Sequence, residues 1–179
     1  QIQALDRTQP GLPLNPSRIG SRTHDYKRNG TAALYAAFNT LTGKVIGKGT
    51  DKTNGKEFLS FLKLLNRRLS AGKDLHIILD NLSAHKTPAV REWLEAHPRI
   101  HLHFTPTSSS WLNAVEGWFA QLERRALYRG VFTSVPELKA ELRRFIEIHN
   151  EQSAKPFKWT KPASNIIAAV GRAKNALHN

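Results

Sequence analysis

At 179 residues and 40% hydrophobic content, the chain is the length of one domain that buries roughly two-thirds of its unfolded surface without staples. The absence of cysteine excludes a disulfide framework and any thiolate metal site, no apolar run reaches the ~18 residues of a membrane span, and no secretory leader opens the chain, so a cytoplasmic setting is expected. The 27 Lys and Arg against 14 Asp and Glu leave a formal charge of +13, a field that attracts polyanions and makes nucleic acid the leading partner.

The chain contains no methionine, even at position 1, so Gln1 reads as an internal position of a longer protein. A short strand-like piece, Ile2 to Leu5, opens it. An irregular loop follows, punctuated by Pro10, Gly11, Pro13, Pro16 and Gly20. The segment from Arg22 to Gly30 reads as exposed loop, with Arg22, Lys27 and Arg28 near Arg18. It faces either solvent or a phosphate backbone. Residues 31–39 and 44–49 read as a hairpin turned at Gly43.

A helix starts at Asn54, with Glu57 three residues on as a capping signal. Phe58, Phe61, Leu62 and Leu65 give its apolar stripe, and Ala71-Gly72 ends it. Leu75 to Leu79 is a continuous apolar strand ending on Asp80. Thr87-Pro88 opens a second helix, with Pro where its missing N–H costs nothing, and Pro98 stops it. Ile100, Leu102 and Phe104 alternate as the next strand. A loop then leads to a long helix from about Leu112 to Arg129. Ser134 to Glu137 caps a last long helix through about His149. A basic tail, residues 151–179, carries Lys155, Phe157, Lys158, Trp159 and Lys161, and then a short helix near Asn165 to Val170.

This order predicts an α/β fold in one domain, residues 1–179. Its mixed sheet would be antiparallel early and parallel late, flanked by helices. Right-handed crossover makes the strands at 75–80 and 100–104 parallel neighbours. Ligands of such sheets sit beyond the carboxyl ends of the strands, which is where Asp80 lies. Glu116 follows the next strand by one loop and one helical turn.

Two ionised carboxylates about 4 Å apart repel by roughly 4 kcal/mol at an effective dielectric near 20, so a pair of them calls for a proton or a cation. Oxygen ligands suit Mg²⁺ or Mn²⁺. Each acid has a plainer reading: Asp80 as a turn former, and Glu116 as the far half of a capping box with Asn113. His85 either touches a phosphate or caps the next helix. Asn81 either orients Asp80 or makes a turn. His101 and His103 share a strand face, but two imidazoles without a third ligand make a poor zinc site. Glu123, about 10 Å further along its helix at 1.5 Å per residue, should miss the strand ends.

The runs LHIILDNLSAHK and FTPTSSSWLNAVEGWFAQLERR together resemble the catalytic core of DDE transposases, in the bacterial insertion-sequence branch related to mariner-type elements. The resemblance extends from Leu5 to about Val170, including LDRTQPGLP, THDYKRNGT and HNEQSAKPFKWT. It implies a ribonuclease-H-like fold and metal-dependent DNA cleavage at transposon ends, followed by strand transfer into target DNA. It implies two divalent ions, Mg²⁺ or Mn²⁺, held by Asp80, Glu116 and a first acid. That acid is expected upstream of Gln1, with Asp6 as the early acid in the chain. An opening strand and a helix-turn-helix region are expected upstream as well.

DNA contacts are expected from Arg22, Lys27, Arg28, His85, Lys86, Arg124, Arg125, Lys155 and Lys158, and a homodimer from synapsis of two ends. Cations beside aromatics in the tail suit backbone neutralisation and base stacking, whereas core packing of Phe157 and Trp159 is the plainer reading. Competing readings are a DNA-binding remnant without catalysis and a ribonuclease-H-like nuclease acting on RNA–DNA hybrids.

Overall fold

The computed structural model describes residues 1–7, 26–70, 72–106, 113–128, 130–158, 162, 164–165, 167–168 and 171–172. Three strands come first: β1 (Ile2–Arg7), β2 (Tyr26–Phe38) and β3 (Val45–Thr50). They form an antiparallel sheet in the order β1-β2-β3. The loop expected over residues 22–30 is strand from Tyr26 onward. Its polar residues are ordered by pairing with β1, which sets Leu5 opposite Arg28 and Asp6 opposite Lys27. The hairpin from β2 to β3 turns as expected at Gly43, whose φ is 74°.

Helix α1 (Gly55–Arg68) begins where Asn54 accepts the Glu57 N–H at 2.9 Å. The other half of that capping box is not made. The Glu57 carboxylate instead takes the Lys48 ammonium of β3 at 3.0 Å. Strand β4 (Leu75–Leu79), helix α2 (Pro88–Glu95) and strand β5 (Ile100–Phe104) follow, with Pro88 in the first turn of α2. β4 and β5 are parallel, in the register Leu75↔Ile100 to Leu79↔Phe104.

The last elements are α3 (Val115–Leu122) and α4 (Val135–Ile148). The long helix expected to Arg129 is α3 followed by a wider π turn over Glu123–Leu127, and α4 likewise runs into a π turn over His149–Ser153. Leu112, Arg129 and much of the expected helix near 165–170 lie outside the described residues.

Two cores hold these elements. One face of β2, through Ala32, Leu34, Ala36 and Phe38, packs with Trp118 and Leu122 of α3 and with Leu138 and Leu142 of α4. On its other face Tyr35 meets Phe58 and Phe61 of α1, with ring centroids 6.2 and 5.7 Å away. Burial pushes the Tyr35 phenol up, and its hydroxyl donates to the Asn54 carbonyl at 3.1 Å. The second core joins Phe58 and Leu62 of α1 to Leu79 of β4 and Val90 of α2. Period-two alternation with both faces covered is what a sheet between helical layers requires.

The architecture is mixed α/β and consistent with a ribonuclease-H-like fold. One refinement is needed. Among the described residues the strands form two separately bonded sheets, three antiparallel and two parallel, rather than one mixed sheet. The Leu5 carbonyl of β1 is taken by the Phe132 N–H at 2.8 Å, so this part of β1 is satisfied by the loop before α4. Among the described residues, no helix is long and apolar enough to cross a membrane.

Candidate active site

β4 carries alternate residues into the second core and ends on buried Leu79, which anchors the start of the next residue, Asp80. A short helical turn, Ser83–Lys86, brings His85 back beneath the strand end. His85 is 7% exposed, and its ring lies 4.2 Å from that of Phe58. Its Nδ1 stands 3.1 Å from the Asp80 carbonyl oxygen and 3.3 Å from Asp80 Oδ1. The Asp80 side chain remains 51% exposed. The helix cap offered as one alternative for His85 is not made: its ring lies against Phe58 and its Nδ1 against the Asp80 carbonyl.

From the same end of the parallel pair the chain continues out of β5. The Thr105 N–H, in a buried residue, reaches the Leu79 carbonyl at 2.8 Å and holds the two strand ends together. Asn113 then precedes α3, with Glu116 in its first turn. The expected capping box is absent here: the Asn113 carbonyl accepts the Glu116 N–H at 3.1 Å, and Asn113 Oδ1 accepts from Val115 at 3.4 Å. The Glu116 carboxylate is exposed and makes no hydrogen bond or ion pair among the described residues. While Val115, Trp118 and Leu122 fasten α3 to the core, its acid stays available. A free carboxylate at a helix N-terminus is also favoured by the helix dipole.

Asp6 is half-buried in β1, opposite Lys27 in the ladder. Among the described residues, the one group of three acid or imidazole side chains with ligand atoms within 4.8 Å of one another is Asp74, His76 and His101. Asp80 and Glu116 belong to no such group among the described residues. The donor chemistry of Asp80 and Glu116 still suits Mg²⁺ or Mn²⁺. Both offer carboxylate oxygens open to solvent, and these ions take one or two carboxylates and keep several waters.

The basic residues are distributed around this end and the first sheet. Lys27 and Arg28 are exposed on β2, with the Arg28 guanidinium 5.7 Å from the Tyr26 ring. Lys86 Nζ lies 4.7 Å from the Phe104 ring, at the end of β5. Arg124 and Arg125 are exposed on the π turn after α3, and Lys155 and Lys158 are exposed in the tail. Phe157 is half-buried, its ring edge-on to Phe38 at 6.1 Å, in keeping with core packing. Arg22, Trp159 and Lys161 lie outside the described residues.

Asp80 thus stands at the carboxyl end of the parallel pair, and Glu116 lies in the first turn of the helix that follows β5 in the chain. Residues 8–139 match the family described as DDE superfamily endonuclease, and the chain belongs to that family. It is also similar to the insertion element IS630 uncharacterized 39 kDa protein of Shigella sonnei, 29% identical over 114 residues. That match covers 64% of this chain and 33% of the relative, so the chain spans about a third of the relative's length.

Proposed function

We propose that this chain is the catalytic part of an insertion-sequence transposase, cutting DNA at transposon ends and joining the freed 3′-hydroxyl to target DNA. Asp80 and Glu116 are two of its metal-binding acids. The reading is supported by Asp80 following β4 at the carboxyl end of the parallel pair and by Glu116 lying in the first turn of the next helix after β5. His85 holds the Asp80 backbone, and α3 presents Glu116 without a competing partner among the described residues. Divalent ions held there would supply an activated oxygen nucleophile and stabilisation of the leaving oxygen. We assign the first acid of the set to a residue of the full-length protein outside residues 1–179, because Asp6 sits in the ladder opposite Lys27.

DNA is the proposed substrate. Lys27, Arg28, Lys86, Arg124, Arg125, Lys155 and Lys158 would neutralise its phosphates, so binding should fall steeply with salt. A homodimer that brings two ends together, and a cytoplasmic, DNA-associated location, belong to the same proposal.

The test is end cleavage by the full-length protein with Mg²⁺ or Mn²⁺. Asp80→Ala and Glu116→Ala should each abolish cutting while leaving circular dichroism and melting unchanged. Wild-type cutting in both variants refutes the site. A wild-type protein that binds ends and cuts nothing would be a DNA-binding remnant. Preference for RNA–DNA hybrid over duplex ends would identify a ribonuclease-H-like nuclease instead.

A further inference from the structure

We propose that Asp74, His76 and His101 form a binding site for one transition-metal ion of the zinc class, separate from the acids at the other end of the strands. The parallel register sets His76 of β4 directly beside His101 of β5. Their rings stack at 4.7 Å, and Asp74, just before β4, brings Oδ2 to 3.8 Å from His101 Nε2. Ligand atoms of all three lie within 4.8 Å of one another. A tetrahedral ion with bonds of about 2.0–2.1 Å spaces its ligands roughly 3.4 Å apart, so small rotations of exposed side chains close the site.

A second observation points the same way. His76 Nδ1 is 2.9 Å from His103 Nε2. With Nδ1–H donating to His103, the free lone pair of His76 is on Nε2. An imidazole bound to a metal through one nitrogen characteristically donates its other N–H to a neighbour that fixes its tautomer and orientation. His103 is placed to do that. Two imidazoles and one carboxylate leave a fourth position for water, a donor set that favours Zn²⁺, Co²⁺ or Ni²⁺ over Mg²⁺.

The location separates this site from the catalytic proposal. Asp74 and Asp80 bracket β4, and at about 3.3 Å per residue the two ends lie roughly 20 Å apart. The ligands come from both strands, so a bound ion would clamp β4 to β5 at the point where the pair begins. Such binding stabilises the folded chain alone, because the unfolded chain does not hold the three groups together.

The experiment titrates the metal-free chain with Zn²⁺ alone, and with Co²⁺ as a spectroscopic probe. The expected result is uptake of one equivalent, an intense visible Co²⁺ band of tetrahedral type, and a melting temperature raised by about 5 °C or more at saturation. His76→Ala, His101→Ala and Asp74→Asn should each weaken binding at least tenfold, and His103→Ala by about tenfold through lost orientation. All four residues are partly or fully exposed, so the variants keep the fold. An Asp80→Asn, Glu116→Gln double variant should bind zinc as the wild type does. Absence of uptake, uptake undiminished in His76→Ala and His101→Ala, or loss of uptake in the double variant would overturn the proposal.

Discussion

Arg99, immediately before β5, ties the end of α1 to the start of the parallel strands. Its Nε and one terminal nitrogen donate to Asn66 Oδ1 at 2.9 and 2.6 Å, and the same terminal nitrogen reaches the Asn66 carbonyl at 2.8 Å. Its other terminal nitrogen reaches the carbonyls of Ser70 and Lys73 at 2.8 and 3.0 Å. These acceptors include an orphan carbonyl of the last turn of α1, where a cation is also favoured by the helix dipole. Hydrogen bonds to a charged group are worth about 1.5–3 kcal/mol net. Water can replace the guanidinium at the exposed Ser70 and Lys73 carbonyls, so the half-buried contacts at Asn66 dominate. Arg99→Ala is therefore expected to cost about 2–3 kcal/mol in all. For a chain of this length that is a fall in melting temperature of roughly 4–12 °C. Arg99→Lys should recover less than half, since a single ammonium cannot reproduce the planar fork. Thermal unfolding followed by circular dichroism reads both variants. A shift under about 1 °C for Arg99→Ala would show that these bonds merely replace equivalent bonds to water.

At Gly43, where φ is 74°, an added Cβ would fall on the Lys155 backbone; Gly43→Ala is expected to cost at least about 2 kcal/mol, measured by urea unfolding. The Thr133 hydroxyl and N–H both donate to Glu137 at 2.8 Å and hold its carboxyl below its ordinary value of 4.5. The folded-state value is the lower one, so this contribution is present above about pH 4.5 and is lost as pH falls through the depressed value. Glu137→Gln should therefore flatten the acid limb of a stability–pH curve and leave the slope near neutrality unchanged; an unaltered acid limb would refute the assignment.

Features set by local rules were legible in the sequence. The apolar run of β4, the Asn54 and Ser134 caps and Pro88 at the start of α2 are all recovered in place. The misses depend on partners distant in sequence. Tyr26 to Gly30 carries polar and charged residues that read as loop, and only pairing with β1 makes it strand. The spacing of Asn113 and Glu116 matches a capping box, yet α3 begins one residue later and leaves the acid free. His101 and His103 were visible as an i, i+2 pair. The partners of the cluster, His76 and Asp74, required the parallel register that sets Leu75 beside Ile100. His85 looked like a surface residue because nothing local announces that Phe58, on a different helix, will cover it.

His85 also gives the sharpest test of how the candidate site is held. Its ring is enclosed by Phe58, and its Nδ1 bonds the Asp80 carbonyl, so one side chain fixes the backbone from which the acid projects. His85→Ala removes the ring and the donor together. Large-to-small changes at buried sites cost about 2–5 kcal/mol, and the low end applies here because the turn lies near the surface and can collapse. His85→Gln keeps a donor of similar reach and should lose less. Beyond stability, the effect should be local. Amide exchange over residues 80–87 should accelerate in His85→Ala more than in α4, whose core residues Leu138 and Leu142 belong to the other cluster. In the full-length protein the same variant should lower the cleavage rate while leaving affinity for DNA ends close to wild type, since a buried imidazole makes no phosphate contact. If exchange rises equally in both regions, His85 is only a packing residue. If DNA affinity falls and the cleavage rate at saturation does not, the ring faces DNA after all, and the pinning of Asp80 is not what it contributes.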